Sequence, residues 1–141
     1  MQGLFLEDLT VGQSAELVRT VAEADIVAFA EVTGDSNPVH LDADYAATTN
    51  FGERIAHGML SAGYISAVLG TTLPGPGAIY LSQSLAFKRP VKIGAEVTAR
   101  VTVTAIDDAK GRVTLDTTCL VGGKAVVGGE AVVMVPRKVA A

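Results

Sequence analysis

Cysteine and histidine are scarce in this chain: one of the first, Cys119, and two of the second, His40 and His57, in 141 residues. A lone cysteine forms no intrachain disulfide, and with so few soft ligands a zinc cluster is excluded. Both point to a reducing compartment, with the cytoplasm as the expected location. A basic excess is missing as well. The formal net charge is -4, which leaves no basic face for a phosphate backbone and argues against nucleic acid as a partner. The opening residues, MQGLFLEDLTVGQ, carry acids early and lack both a basic stretch and a long apolar run, so no signal peptide is expected.

From Ile55 to Phe87 there is no Asp, Glu, Lys or Arg, which raises the question of a membrane. The first part of that stretch, IAHGMLSAGYISAVLG, is interrupted by His57 and three glycines, and PGPG at residues 74 to 77 closes it. It falls short of the roughly 20 apolar residues a span requires. A helix apolar around its whole circumference is expected instead at the centre of a domain. The length suits one domain, residues 1 to 141, able to bury a core of its own.

Thr20 followed by Glu23 fits a capping box, and Ile26, Val27, Phe29, Ala30 and Val32 supply an apolar face up to Gly34, which suits a helix C-cap. A helix is therefore expected over about 21–33. Asp42 can cap a helical turn over about 43–48, and the apolar helix is expected over about 58–70. The period then changes. YLSQSLAFKRPV, EVTARVTVTAI, RVTLDTTCLV and KAVVGGEAVVMVP read as four strands, and an earlier one at about 13–19 makes five. Val97, Ala99, Val101, Val103 and Ala105 alternate with polar neighbours, so one face is buried and the sheet is antiparallel. DDAKG and VGGK are turns, and Gly128 with Gly129 signals a bulge or a close backbone approach. One apolar helix has to be covered by this sheet, so the class is α+β, an antiparallel five-stranded sheet curled around the helix.

Residues 33 to 42, TGDSNPVHLD, crowd an Asp, an Asn, a Pro and a His behind the first helix. Pro38 pushes Asn37 toward extended geometry and stiffens the segment, which is read as non-helical. A carboxylate at 35 and an imidazole at 40 on a rigid loop can be aimed at one point, as general acid/base chemistry requires. The same residues also fit a plain helix stop, with Asp35 and Asn37 making side-chain turns and His40 packed. A metal set of Asp35, Asn37, His40, Asp42 and Asp44 is available by residue type, but no glycine sits where a calcium loop turns. Cys119 lies in an alternating strand and reads as a small core residue. No Ser, Thr, Asp or Asn precedes Gly58 in capping position, so the first N–H groups of the apolar helix are free for a ligand, and negative charge on a carbonyl oxygen would be stabilised there. His57 or water capping the helix is the competing reading. An acid/base pair and an anion-stabilising helix end together suggest adding water to, or removing it from, a double bond conjugated to a carbonyl.

GDSNPVH, residues 34 to 40, resembles the G-D-x-N-P-x-H signature of the MaoC-like dehydratases and R-specific enoyl-CoA hydratases, with every position matched. The resemblance continues through HLDADYAATTNFGERIAHGML and IYLSQSLAFKRPV and covers almost the whole chain. It implies a hotdog fold, a homodimer, and reversible R-specific hydration of trans-2-enoyl-CoA to R-3-hydroxyacyl-CoA. It implies no metal or separate cofactor, coenzyme A being part of the substrate. The family's catalytic Asp falls on Asp35 and its His on His40, the two activating one water that adds to C3 while the proton reaches C2 from the same side. The N–H of Gly58 matches the donor to the thioester carbonyl. Asn37 would brace the loop, and Ser66 falls where the family has an active-site serine, with helix packing as its alternative role. Lys88, Arg89 and Lys92 could approach the phosphates of coenzyme A or simply be solvated. Two other functions remain open: a hotdog thioesterase, whose water attacks the carbonyl, and an acyl-CoA-binding or accessory subunit, which would be expected to have lost the Asp or the His.

Overall fold

The computed structural model describes residues 1–138; the last three residues of the expected 1–141 domain lie outside them. A short 3-10 turn, Leu6–Asp8, leads into strand β1, Ser14–Thr20. Helix α1, Glu23–Thr33, starts two residues later than the sequence suggests. Thr20 cannot cap it, because its backbone still pairs with Glu96 in the sheet and the N–H of Val21 donates to Ala95. The helix therefore begins behind Ala22, whose N–H is bound by the Asp25 carboxylate at 2.9 Å. It ends as expected at Gly34, which adopts the left-handed conformation at φ 81°.

The segment after Gly34 is not wholly non-helical. Pro38–Leu41 forms one helical turn, α2, with Asn37 as its N-cap and Pro38 in its first position. The proline that prevents α1 from continuing also starts the next turn, because its fixed φ and missing N–H suit that position. Asp42 then caps α3, Ala43–Ala47, accepting the N–H groups of Asp44 and Tyr45.

Helix α4, Gly58–Thr71, runs against a sheet of six strands rather than five. The run expected as one strand divides into β2, Ile79–Gln83, and β3, Ala86–Phe87. They are followed by β4, Glu96–Asp107, β5, Arg112–Val121, and β6, Lys124–Met134. The antiparallel order is β1-β4-β5-β6-β2, with β3 also on β6. The division has its cause in the neighbouring strand. Ser84 presses onto Gly129 so closely that a Cβ there would lie 1.9 Å from the Ser84 carbonyl oxygen, and the chain leaves the ladder between Gln83 and Ala86 to pass it. Gly129 thus provides the close approach expected of the glycine pair. The bulge falls nearby, where the β5–β6 register shifts between Cys119 and Leu120. The tight turn into β6 uses Gly122 and Gly123, at φ 57° and 78°, the pair of positive φ values that a two-residue hairpin favours.

The core lies between α4 and the concave face of the sheet. Ile65, Val68 and Leu69 meet Val97, Ala99, Val101, Val113, Leu115 and Val133, all at most 2% exposed. Burying side chains of this size stabilises by about 1.5–3 kcal/mol each, so helix and sheet hold each other. The predicted alternation of β4 holds through Val103 and fails at Ala105, which is exposed, because the register with β5 shifts between the two. Helix α4 is also not buried all round. Met59, Gly63, Ser66 and Gly70 form an exposed stripe, and beside it on the sheet edge stand Ile79, Tyr80 and Leu81, each at least 40% exposed. Apolarity all round the helix did not distinguish a core face from a face left open.

Cys119 is fully buried in β5, its thiol donating to the Ser61 carbonyl of α4 at 3.4 Å. Burial pushes the thiol up to about 12, so it stays protonated at neutral pH and is a poor nucleophile. A thiol-specific reagent is therefore expected to leave the folded protein unlabelled and its activity unchanged, with one equivalent reacting on denaturation; rapid labelling of the native protein would count against this packing.

Candidate active site

The GDSNPVH segment is braced from several sides. The Asp35 N–H donates to Thr33 Oγ1 at 3.1 Å, and the Asp35 carboxylate accepts the Asn37 N–H at 3.3 Å. Asn37 in turn accepts the Val39 N–H at 3.1 Å. Its oxygen is thereby used as a cap, which agrees with a bracing role. These are the turn contacts that a plain helix stop would also make, so the chemistry depends on what stands around them.

His40 is buried to 9% exposure on α2, and its Nδ1 lies 2.8 Å from the Ile55 carbonyl. A carbonyl only accepts, so the proton is on Nδ1 and Nε2 carries the free lone pair. Arg54 fixes the backbone beneath the ring, donating from Nε to the His40 carbonyl at 2.7 Å and pairing with Glu23 of α1 at the same distance. That ion pair is partly exposed and contributes little stability; its role here is geometric. The Asp35 carboxylate is exposed, while its ligand-type atom and those of His40 and His57 all lie within 4.8 Å of one another.

His40 and Gly58 line one cleft of about 460 Å³, together with Phe51, Met59, Ser61, Phe87 and Val127. No side chain caps the start of α4, and 14 residues of helix stand behind the Gly58 N–H. Their aligned peptide dipoles place a positive potential of about half a charge at that point. Lys88 and Arg89 also line the cleft, whereas Lys92 pairs with Glu53 at 3.4 Å. Ser66 stands apart from His40 in a second cleft of about 480 Å³, between the exposed face of α4 and β2, with Met59 shared between the two. Three residues of the site escape a reading by motif: Ser61, hidden in an apolar helix; Phe87, taken as part of a longer strand; and His57, whose signals are its place before Gly58 and the rarity of histidine.

The metal set suggested by residue type does not assemble. The Asp42 carboxylate is used as the cap of α3, Asp44 stands in the first turn of that helix outside the cluster, and Asn37 caps α2. The remaining cluster contains both histidines, but their rings stack, centroids 3.8 Å apart and planes 29° from parallel. Lone pairs lie in the ring planes, so stacked rings direct them side by side rather than at one ion.

A sheet curled around one long helix, with an aspartate and a histidine close together beside the helix's uncapped start, is the arrangement of a hotdog-fold protein of the hydratase and dehydratase type. The MaoC-like domain family model matches residues 8–124, and the chain belongs to that family. It is 60% identical over 134 residues to an (R)-specific enoyl-CoA hydratase of Rhodospirillum rubrum, covering 95% of this chain and 93% of that one. It is 52% identical to a 3-hydroxybutyryl-CoA dehydratase of Methylorubrum extorquens, covering 96% and 86%. The unliganded R-hydratase of Pseudomonas aeruginosa superposes with a TM-score of 0.92 at 51% identity, over 96% of this chain and 88% of that one.

Proposed function

We propose that this chain is an R-specific enoyl-CoA hydratase that adds water reversibly to trans-2-enoyl-CoA. The observation that carries the reading is the juxtaposition of Asp35 and His40, within 4.8 Å, with the uncapped Gly58 N–H in the cleft that His40 lines. The two side chains hold one water, Asp35 as base and His40 through its free Nε2. The water adds to C3 of the enoyl thioester, and its proton passes to C2 from the same side. The Gly58 N–H receives the negative charge that grows on the thioester oxygen, where a preformed donor in an apolar cleft is most effective. Asn37 keeps the loop in place, and Ser66 is a supporting residue of the neighbouring cleft.

The competing thioesterase uses the same helix end but breaks the thioester. Incubation with crotonyl-CoA separates them: a hydratase removes the conjugated-thioester absorbance and frees no thiol, whereas a thioesterase releases coenzyme A. Thiol release matching the absorbance loss would overturn the proposal, and loss of neither would favour an accessory subunit.

The same reading includes one hotdog domain, a cytoplasmic location and a homodimer. Among the described residues no helix is long and apolar enough to cross a membrane. The support for a dimer is the apolar edge strand β2 lying beside the exposed stripe of α4, an open ladder with apolar surface that a second copy can cover. Light scattering at micromolar concentration is expected to give twice the chain mass and a monomer would contradict it. Chelation is expected to leave turnover unchanged, since the ring stacking opposes shared coordination; loss restored by added metal would contradict that.

A further inference from the structure

His57 lies outside the G-D-x-N-P-x-H segment, yet it contacts both Asp35 and His40 and directly precedes Gly58. It is 2% exposed. Its Nε2 lies 3.0 Å from the Asp35 carbonyl, and because a carbonyl only accepts, the ring proton is on Nε2. Its face stacks on His40 at 3.8 Å, and Phe29 of α1 packs on it at 4.6 Å. Its backbone is the N-cap of α4, immediately before Gly58. One rigid ring thus links the carboxylate-bearing loop, the imidazole and the helix start.

A core histidine kept only for packing would be expected to satisfy both nitrogens. The Nδ1 of His57 is buried without a hydrogen-bond partner among the described residues, an arrangement that costs stability and that an apolar ring of similar size would avoid. What a phenyl ring could not supply is the bond to the Asp35 carbonyl. Asp35 is exposed near the start of a loop whose other hydrogen bonds among the described residues are short-range turn bonds, so the His57 bond is its tie to a distant element.

We propose that His57 is a positioning residue for the Asp35–His40 pair: its Nε2–H anchors the Asp35 backbone while its ring backs His40, so that both groups reach one water. The proposal rests on the hydratase reading above. Its role is indirect, since no proton of the reaction passes through it. The expected signature is a loss in kcat rather than in substrate binding, because misplacing a group that acts in the transition state slows the chemical step and leaves KM nearly unchanged.

Two variants test it with crotonyl-CoA as substrate. His57→Phe keeps an aromatic ring against His40 and Phe29 but removes the donor; kcat is expected to fall about tenfold with little change in KM or melting temperature. His57→Gln, whose amide nitrogen can occupy the place of Nε2, is expected to recover most of that loss. Wild-type kcat in His57→Phe overturns the proposal, as does an equal loss in both variants or a kcat loss that only parallels a fall in melting temperature. If His57→Phe fails to fold, His57→Asn, whose amide is too short to reach the Asp35 carbonyl, takes its place beside His57→Gln; if His57→Gln fails to fold, His57→Phe and His57→Asn are both expected to lose kcat with KM kept, and wild-type kcat in either overturns the proposal. Failure of the wild-type protein to hydrate crotonyl-CoA refutes the hydratase reading instead, so the two failures are distinguishable.

Discussion

Asp35→Asn and His40→Asn are each expected to slow hydration of a 2-enoyl-CoA by about 10²- to 10⁴-fold, the loss typical of removing general acid/base help. Both proteins should remain folded. Asp35 is exposed, and an amide oxygen can still accept the Asn37 N–H that the carboxylate holds at 3.3 Å. At position 40 an asparagine amide can replace the Nδ1 contact to Ile55 while removing the free Nε2 that faces the water. Because the two groups act on one water, the double variant should be little worse than the worse single one; losses that multiply would mean independent roles. The measurement is steady-state turnover with melting curves alongside. Near wild-type turnover in either variant would remove that residue from the pair.

Gly58→Ala is expected to lower kcat/KM by at least about tenfold with melting almost unchanged, well below the 3 to 4 kcal/mol that deleting an oxyanion donor costs elsewhere. A Cβ on Gly58 would lie 2.6 Å from Cδ1 and 2.7 Å from Cε1 of Phe87. That ring is 54% exposed and can swing aside, so the fold has an escape that the cleft does not. The methyl or the displaced ring then occupies space that the substrate needs beside the N–H. Repeating the substitution in Phe87→Leu separates the two causes. If the N–H matters, Gly58→Ala costs the same in both backgrounds. If the displaced ring is the cause, Gly58→Ala costs little in the Phe87→Leu background, where there is no ring to push into the cleft. Lower melting with intact turnover would leave the helix start as structure only.

The elements that could be read from the sequence are those whose signal is local. Gly34 ends α1 because the left-handed turn it adopts is rarely available to other residues, and Asp42 caps α3 through its own side chain. Strand β4 follows its alternation until a register shift interrupts it at Ala105. What was missed depends on neighbours distant in sequence. Thr20 looked like a cap but is held in the sheet by Glu96. The break between β2 and β3 comes from Ser84 meeting Gly129, 45 positions away. The exposed stripe of α4 cannot be told from its buried face, since both are apolar or small. The same holds in the site: Asp35, Asn37 and His40 share one motif, whereas His57 enters through a bond to a residue 22 positions away.

The hydratase reading rests on addition of water to one face of the double bond, and the product's configuration tests it most directly. Crotonyl-CoA hydrated by this protein should be followed by oxidation of the product with a dehydrogenase specific for R- or for S-3-hydroxyacyl-CoA. The R-specific enzyme is expected to consume all of the product and the S-specific enzyme none. A product taken up by the S-specific enzyme, or a racemic mixture, would contradict it.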